Sequence, residues 1–541
     1  MGRQQNGENF LHSVIALDKS AGFTRWAGFE PKPSQSLKQS LIDGGFQGRL
    51  QWHALMDRKS ANSVDVLYYP APLTSDLAHL RNRMGVYSYS LMGITHTLSS
   101  TAAMDQLSAL SLSPFQDWDA LICTSEAAKR FAQQLIDSTR HYWQEQAGAT
   151  KFPKVHLPVI PLGVDTNRFK PDQASRLYSR TRLGFNDQTF VVLFVGRLSF
   201  HAKANPLVVY QTLERLAKVQ SGQRVVYLEV GRYPNDSIRQ AFADAQKTLA
   251  PSLECQWVNG ENLQDVQEAW RVADVFVSCS DNVQETFGLT PLEAMASGLP
   301  VIVSDWDGYR DTVRDGVDGF CIPSVLPDSQ TGAGQSLQLR QASQLESYDY
   351  YIGKLSLMTV IQPQALFEAL LKLAREPAMR RFMGESGRQR ALQIYDWKHI
   401  LQQYDSLAQH LSDVRVRAKR HAIDPDLSIA WPQRPDPLDA FAHFATARLK
   451  ADTRIARSEN WRERWEQCAR LQVATFALNH EFGTLETLAE LLQLMTGSTT
   501  INHLLEAYPA LEGPRLVRLV MLGLKFGLIY LVDPLILPKA S

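Results

Sequence analysis

The sequence predicts an α/β fold built on a doubly wound parallel sheet, and two observations predict it. Residues 188–320 alternate apolar runs with amphipathic stretches in a regular strand–helix rhythm. Charged and turn-forming residues gather just after those runs, at the strand ends where open α/β sheets bind ligands. The strand candidates are residues 190–195, 225–230, 255–258, 274–278 and 300–304, and helical patterns fill 206–218, 236–249 and 262–272 between them. Strands joined through helices in this way lie parallel.

The most informative segment follows the fourth strand candidate: Glu285-Thr286-Phe287-Gly288-Leu289-Thr290-Pro291-Leu292-Glu293. Thr290 suits an N-cap, Pro291 the first helical position, and Glu293 the far end of a Thr-x-x-Glu capping box, so a helix is expected to begin at Thr290. The exposed N–H groups of a helix start favour an anion, and Gly288 permits close approach to the backbone. Phosphate is the natural guest. In the simpler reading Glu293 only caps a helix and Glu285 is a solvated loop charge; the local pattern alone does not separate the two.

The first strand of this unit ends in Val195-Gly196-Arg197-Leu198, and Lys203 follows five residues later. An arginine fork and a lysine point charge suit a diphosphate whose negative charge grows as it departs. Basic residues in loops are usually only solvated. Their coincidence with the Glu285–Glu293 segment favours an anion site.

Taken in order, Gly196-Arg197-Leu198 with Lys203, then Glu285 and Glu293 with seven residues between them, then Gly298-Leu299-Pro300-Val301-Ile302-Val303, resemble a retaining glycosyltransferase of the family 4 type, with the GT-B fold. The resemblance extends outwards. Residues 118–125 resemble the strand before a helix of that family's acceptor-side domain, residues 161–165 its interdomain hinge, and Tyr395-Asp396-Trp397 with the amphipathic stretch after it the element that crosses back to the first domain. About residues 50–412 are covered.

The resemblance implies two Rossmann-like doubly wound parallel-sheet domains facing a cleft: an acceptor-side domain over residues 1–165, a donor-binding domain over 166–395 and a crossover helix over 396–414. It implies transfer of a hexosyl unit from a nucleotide-diphosphate sugar to a hydroxyl acceptor with retained anomeric configuration and no obligatory metal. Arg197 and Lys203 would neutralise the diphosphate, and Glu285 would bind hexose hydroxyls. Gly196 and the backbone of Phe287, Gly288, Leu289 and Thr290 would hold phosphate and sugar, and Glu293 the ribose. His96 would reach the transferred sugar from the opposite wall, and the acceptor would be a growing surface glycan or a lipid-linked oligosaccharide.

The chain departs from the family pattern in two places. Arg197 and Lys203 are one residue further apart than is usual, so residues 199–202 are expected to bulge. No clear Gly-rich loop follows a first strand, Gly44-Gly45 being the nearest candidate, and residues 1–50 show little strand pattern.

At 541 residues the chain exceeds one compact core. With 56 acidic and 56 basic residues it carries no charge bias towards nucleic acid. Cys123, Cys255, Cys279, Cys321 and Cys468 lack metal-ligand spacing and read as thiols in a reducing compartment. Asn6, Glu8 and Asn9 do not lay out a signal peptide, which points to the cytoplasm, with the inner face of a membrane as the alternative. Residues 323–347, rich in Ser, Gln and Gly, read as an inserted loop, passive or folded over the donor. Residues 424–437 read as a linker to a mainly helical extension within 415–541, with helical patterns at 484–495, 499–507 and 513–526 and a faint winged-helix ending. On the last helix Arg515, Arg518 and Lys525 oppose an apolar face, a pattern that fits either a packed helix or peripheral contact with a membrane.

Two other classes fit the fold: a GT-B enzyme of another reaction type, such as a nucleotide-sugar epimerase or a phosphorylase, and a non-catalytic nucleotide-sugar binder. The ordered set Arg197, Lys203, Glu285 and Glu293 favours transfer, and no lysine-anchored pyridoxal site is recognisable.

Overall fold

Strand β1, Phe23–Gly28, pairs in parallel with β2, Arg49–Ala54, across a helix at Gln35–Asp43. The N-terminal region thus holds a βαβ unit where the sequence showed little strand pattern. This computed structural model describes residues 10–11, 13–14, 23–43, 45–46, 49–112, 114–420, 431–479, 482–508 and 513–533. Gly44, the residues around Asn6, Glu8 and Asn9, and the first half of the expected linker (424–430) lie outside them.

The first lobe continues with β3 (Val66–Tyr68), β4 (Ser90–Ile94) and β5 (Ala120–Ile122), a short parallel sheet in the order β3-β4-β5. The segment after residue 150 joins its edge through bridges from Ala120 to His156 and from Cys123 to Val159. Beneath it Arg81 and Asp119 form a fully buried two-pronged ion pair, both bonds 2.9 Å, and Asp119 also accepts from the backbone N–H of Leu91. Removing either partner of such a pair would leave an uncompensated buried charge.

The second lobe is a six-stranded all-parallel sheet: β6 (Thr189–Val195), β7 (Arg224–Gly231), β8 (Glu254–Asn259), β9 (Val275–Ser278), β10 (Val301–Ser304) and β11 (Gly319–Ile322), in the order β11-β10-β9-β6-β7-β8. The order reverses at β6, so the crevice beyond the carboxyl ends of β6 and β9 is a topological switch point. Apolar clusters cover both faces of this sheet, as runs such as Val191-Val192-Leu193 require. With two Rossmann-like lobes the chain has the GT-B architecture.

The segment expected to be the hinge, residues 161–165, packs closely on the start of the expected crossover helix. Val164 donates to the carbonyl of Tyr395 at 2.8 Å, and a Cβ on Gly163 would lie 2.3 Å from the Trp397 ring. The Trp397–Lys419 helix then returns to the first lobe, burying Trp397, Ile400, Leu401, Tyr404 and Leu411 against Met92, Ile94, Ala120 and Ile122.

The expected loop at 323–347 is a correction. It carries strand β12 (Ser324–Val325), which pairs antiparallel with β13 (Val360–Ile361), and a helix at Gln335–Ala342 that leads into a second at Tyr348–Leu357. Its tie to the first lobe is direct: Gln341 donates to the carbonyl of Ser99 at 3.0 Å, and the Ser99 and Tyr348 hydroxyls meet at 2.8 Å.

Residues Met1–Trp431 and Pro432–Ser541 form separate compact units. The second unit is not purely helical. Strands β14 (Arg454–Arg457), β15 (Ser498–Thr500) and β16 (Ile529–Leu531) make an antiparallel sheet in the order β15-β14-β16, backed by helices at Leu485–Leu494, Ile501–Ala507 and Gly513–Lys525. Leu516, Leu519 and Val520 are buried in that unit's own core, so the apolar face of the last helix is occupied there. Among the described residues no helix is long and apolar enough to cross a membrane.

Candidate active site

The carboxyl ends of β6 and β9 and the start of the Leu289–Ala296 helix converge on one recess. Lys203 and Glu285 form an ion pair there, both largely buried. Burial is the largest influence and would lower the Lys203 ammonium, but the Glu285 carboxylate and Tyr309 together outweigh it and hold the group above its ordinary value. The lysine stays charged where a diphosphate would need it. Arg197 stands beside it, donating to the carbonyl of Ala202 at 3.1 Å and to the side chain of Gln284. The longer spacing is absorbed by a tight turn, in which the N–H of Lys203 donates to the carbonyl of Ser199 at 3.0 Å.

The helix does not start as its sequence suggests. Its N-cap is Gly288, at φ 83°, and Leu289 and Thr290 already lie inside it. The Thr290–Glu293 capping box does not form, because Tyr309 lies directly under the turn and selects the residue that can sit there. A Cβ on Gly288 would come within 2.1 Å of the Tyr309 ring. Only glycine meets both the positive φ and the close approach. Phe287 is buried just ahead of it, and Gly196, at the end of β6, packs on Lys203.

Freed from capping, Thr290 leaves its hydroxyl buried without a hydrogen-bond partner. A buried hydroxyl without a partner is costly, and an anion at this helix start would satisfy it. Thr290→Val is therefore expected to leave the unliganded protein as stable as before, within about 1 kcal/mol, while weakening nucleotide binding about tenfold. Thermal unfolding alongside calorimetric titration of nucleoside diphosphates checks both halves.

Glu293 sits one turn further on. Burial lifts its carboxyl from 4.5 to about 7, with Arg168 and Lys203 pulling the other way. Between those values the unfolded chain has lost this proton and the folded chain keeps it, so Glu293 makes stability fall as pH rises through that window. Glu229 and Asp281, also lifted by burial to about 7, act in the same sense. Urea unfolding at pH 5 and pH 8 should show a smaller loss for Glu293→Gln than for the unsubstituted chain.

Arg197, Lys203, Glu285 and the 287–293 segment thus come together. His96 lies on the facing lobe, after β4, with Nε2 at 3.0 Å from the carbonyl of Pro70. The lobes touch beside the site, where the Ser125 hydroxyl donates to the carbonyl of Thr286 at 2.8 Å and the N–H of Glu126 to Asp311 at 2.7 Å. Sequence reasoning missed Ser125, Gln284, Asp307 and Tyr309. Only Ser125 had a local signal, as N-cap of the Glu126–Ala147 helix. Among the described residues no cluster of His, Cys, Asp and Glu is arranged to hold a metal.

Residues 176–345, which carry this recess, match the family described as glycosyl transferases group 1. A D-inositol 3-phosphate glycosyltransferase of Actinosynnema mirum is 30% identical over 328 residues, 56% of this chain and 74% of that protein. The chain belongs to the group 1 glycosyl transferases. The protein of the same name from Geodermatophilus obscurus is 32% identical over 214 residues, 39% of this chain and 44% of that protein. The chain thus spans less than half of one of these relatives and about three quarters of the other. Among solved structures, Anabaena Alr3699/HepE in complex with UDP aligns with 74% of this chain and 96% of that one, at 17% identity and a TM-score of 0.49.

Proposed function

We propose that this group 1 glycosyl transferase moves a hexosyl unit from a nucleotide-diphosphate sugar to a hydroxyl acceptor with retention of anomeric configuration. The Lys203–Glu285 pair carries this reading, because it sets a cation for the diphosphate and a carboxylate for the sugar side by side at the switch point. The lysine ammonium has three donors, so it can contact a phosphate oxygen while keeping Glu285.

In this reading the diphosphate lies at the start of the Leu289–Ala296 helix, against the N–H groups near Gly288, the Thr290 hydroxyl, Arg197 and Lys203. Glu293 takes the ribose hydroxyls, Glu285 the hexose hydroxyls, and His96 approaches the sugar from the facing lobe. The bond from the anomeric carbon to the diphosphate breaks, and its electron pair leaves on a phosphate oxygen. Arg197 and Lys203 stabilise that charge as it forms. The acceptor hydroxyl attacks from the same face and passes its proton to the departing phosphate, so no carboxylate nucleophile is needed. The family resemblance suggests a glycan or a lipid-linked oligosaccharide as acceptor, and the relatives' names suggest an inositol phosphate, a phosphorylated polyol, as the alternative.

The test incubates the full chain with a panel of nucleotide sugars, with and without hydroxyl acceptors, and follows nucleoside diphosphate release and the anomeric configuration of the product by NMR. Release that rises with acceptor and gives a retained product supports the reading. Absence of release from every donor, or an inverted product, refutes it.

A further inference from the structure

Next to Glu285 the cleft opens into a cavity of about 460 Å³, bounded by the first lobe on one side and the 323–347 segment with the Tyr348–Leu357 helix after it on the other. Its size suits one small organic molecule. Its lining does not include Arg197, Lys203 or the Gly288 turn, so it lies to the acceptor side of the diphosphate recess. Met104 and Phe131 of the first lobe, Trp306 of the second, and Tyr351 and Leu355 of the Tyr348–Leu357 helix make its walls apolar.

Its charges are equally telling. The lining holds two carboxyl groups, Glu285 and Asp307, and one cation, Arg310. Arg310 is paired with Asp305, donating to its carboxylate at 2.8 Å and to its carbonyl at 2.9 Å. A phosphorylated acceptor would therefore meet two carboxyl groups and a single cation, which is shared with Asp305. Phosphate sites are built the opposite way, from forked or point cations.

Asp307 is the second unusual feature. It is held at φ 48°, one of two non-glycine residues with positive φ among the described residues. Its Oδ2 is buried with no hydrogen-bond partner. A strained backbone and an unsatisfied buried carboxyl oxygen both cost stability, and such features concentrate where a ligand is held. Burial, and then the neighbouring Glu285 charge, push this carboxyl well above the usual carboxylate range, so it can donate as well as accept.

We propose that this cavity binds an acceptor whose body is uncharged and apolar, aromatic or aliphatic, with a hydroxyl group held by Asp307 next to the transferred sugar. The proposal rests on the glycosyltransferase reading and narrows it, setting this chain apart from relatives named for a phosphorylated polyol.

Saturation-transfer NMR and calorimetry on the full chain, preloaded with UDP-glucose or whichever donor of the panel it binds, test the idea with two probes, 4-nitrophenyl β-D-glucoside and myo-inositol 1-phosphate. The aryl glucoside is expected to bind at least tenfold more tightly than the inositol phosphate. Phe131→Ala and Asp307→Gly should each weaken the aryl glucoside roughly five- to tenfold while leaving donor affinity unchanged. Glycine is the residue that φ 48° suits best, so the Asp307 variant loses the carboxyl without added strain. Failure of the aryl glucoside to bind the donor-loaded chain, binding of the inositol phosphate at equal or higher affinity, or an unchanged affinity in either variant overturns the proposal. Failure of every nucleotide sugar to bind would instead overturn the underlying reading, so the two failures are distinct.

Discussion

Replacing Glu285 by glutamine is expected to lower sugar transfer roughly a hundred- to a thousandfold, the scale on which single preorganised charges act. The same change leaves Lys203 charged in a recess where only about a sixth of its side chain meets solvent. Breaking one partner out of a buried pair leaves an uncompensated charge, so stability should fall by about 2–3 kcal/mol, less than for an apolar replacement because the amide oxygen still accepts from lysine. The two effects separate in a double variant. Lys203→Met with Glu285→Leu replaces the pair by apolar groups and should recover most of the stability, as such swaps often do. It should recover none of the activity. Denaturant midpoints and initial rates on the two variants and the unsubstituted chain check this; an active double variant would reduce the pair to a packing element.

Gly288→Ala is the second change with a large expected effect. The new methyl would fall 2.1 Å from the Tyr309 ring, and the backbone there sits at φ 83°. Overpacking and a left-handed alanine add, so destabilisation of about 3 kcal/mol or more is expected. Tyr309 is fully buried and its hydroxyl meets that of Ser278 at 2.9 Å, so the ring cannot move aside without breaking that bond. Tyr309→Leu in the Gly288→Ala background should return part of the stability, while nucleotide binding stays impaired because the turn that aims the helix N–H groups is displaced. Unfolding midpoints and nucleotide titrations of the single and double variants read the two effects apart.

Much of this site was legible because local rules govern it. The helix expected at 236–249 runs over Asp236–Leu249, with Asn235 accepting from the N–H of Ile238, a short-range cap that sequence shows directly. The expected strand at 190–195 became the centre of the sheet for a similar reason, since an unbroken apolar run suits a strand buried on both faces. What escaped was set at long range. Thr290 looked like a cap because its neighbours fit the pattern, yet the choice fell to Gly288 through a ring 21 positions away in Tyr309. The insert read as a loop from its composition, but contacts between Tyr348, Gln341 and Ser99 fold it onto the cleft. Asp307 gave no local signal. Its importance appears only once its backbone angle, its orphaned oxygen and its neighbour Glu285 are seen together.

The residues of the recess and of the cavity beside it have a common origin in strand ends. Gly196, Arg197 and Lys203 follow β6, Glu285 and Gly288 follow β9, and Asp307 and Tyr309 follow β10, so three adjacent strands deliver seven residues to one edge. That concentration is what a switch-point site requires.

Calorimetric titration of UDP, GDP and ADP into the full chain, repeated on Lys203→Ala, tests the central claim most directly. The account predicts that at least one nucleoside diphosphate binds in the micromolar range and that the lysine variant loses at least tenfold in affinity. Absence of binding by all three, or equal affinity in the variant, would contradict it.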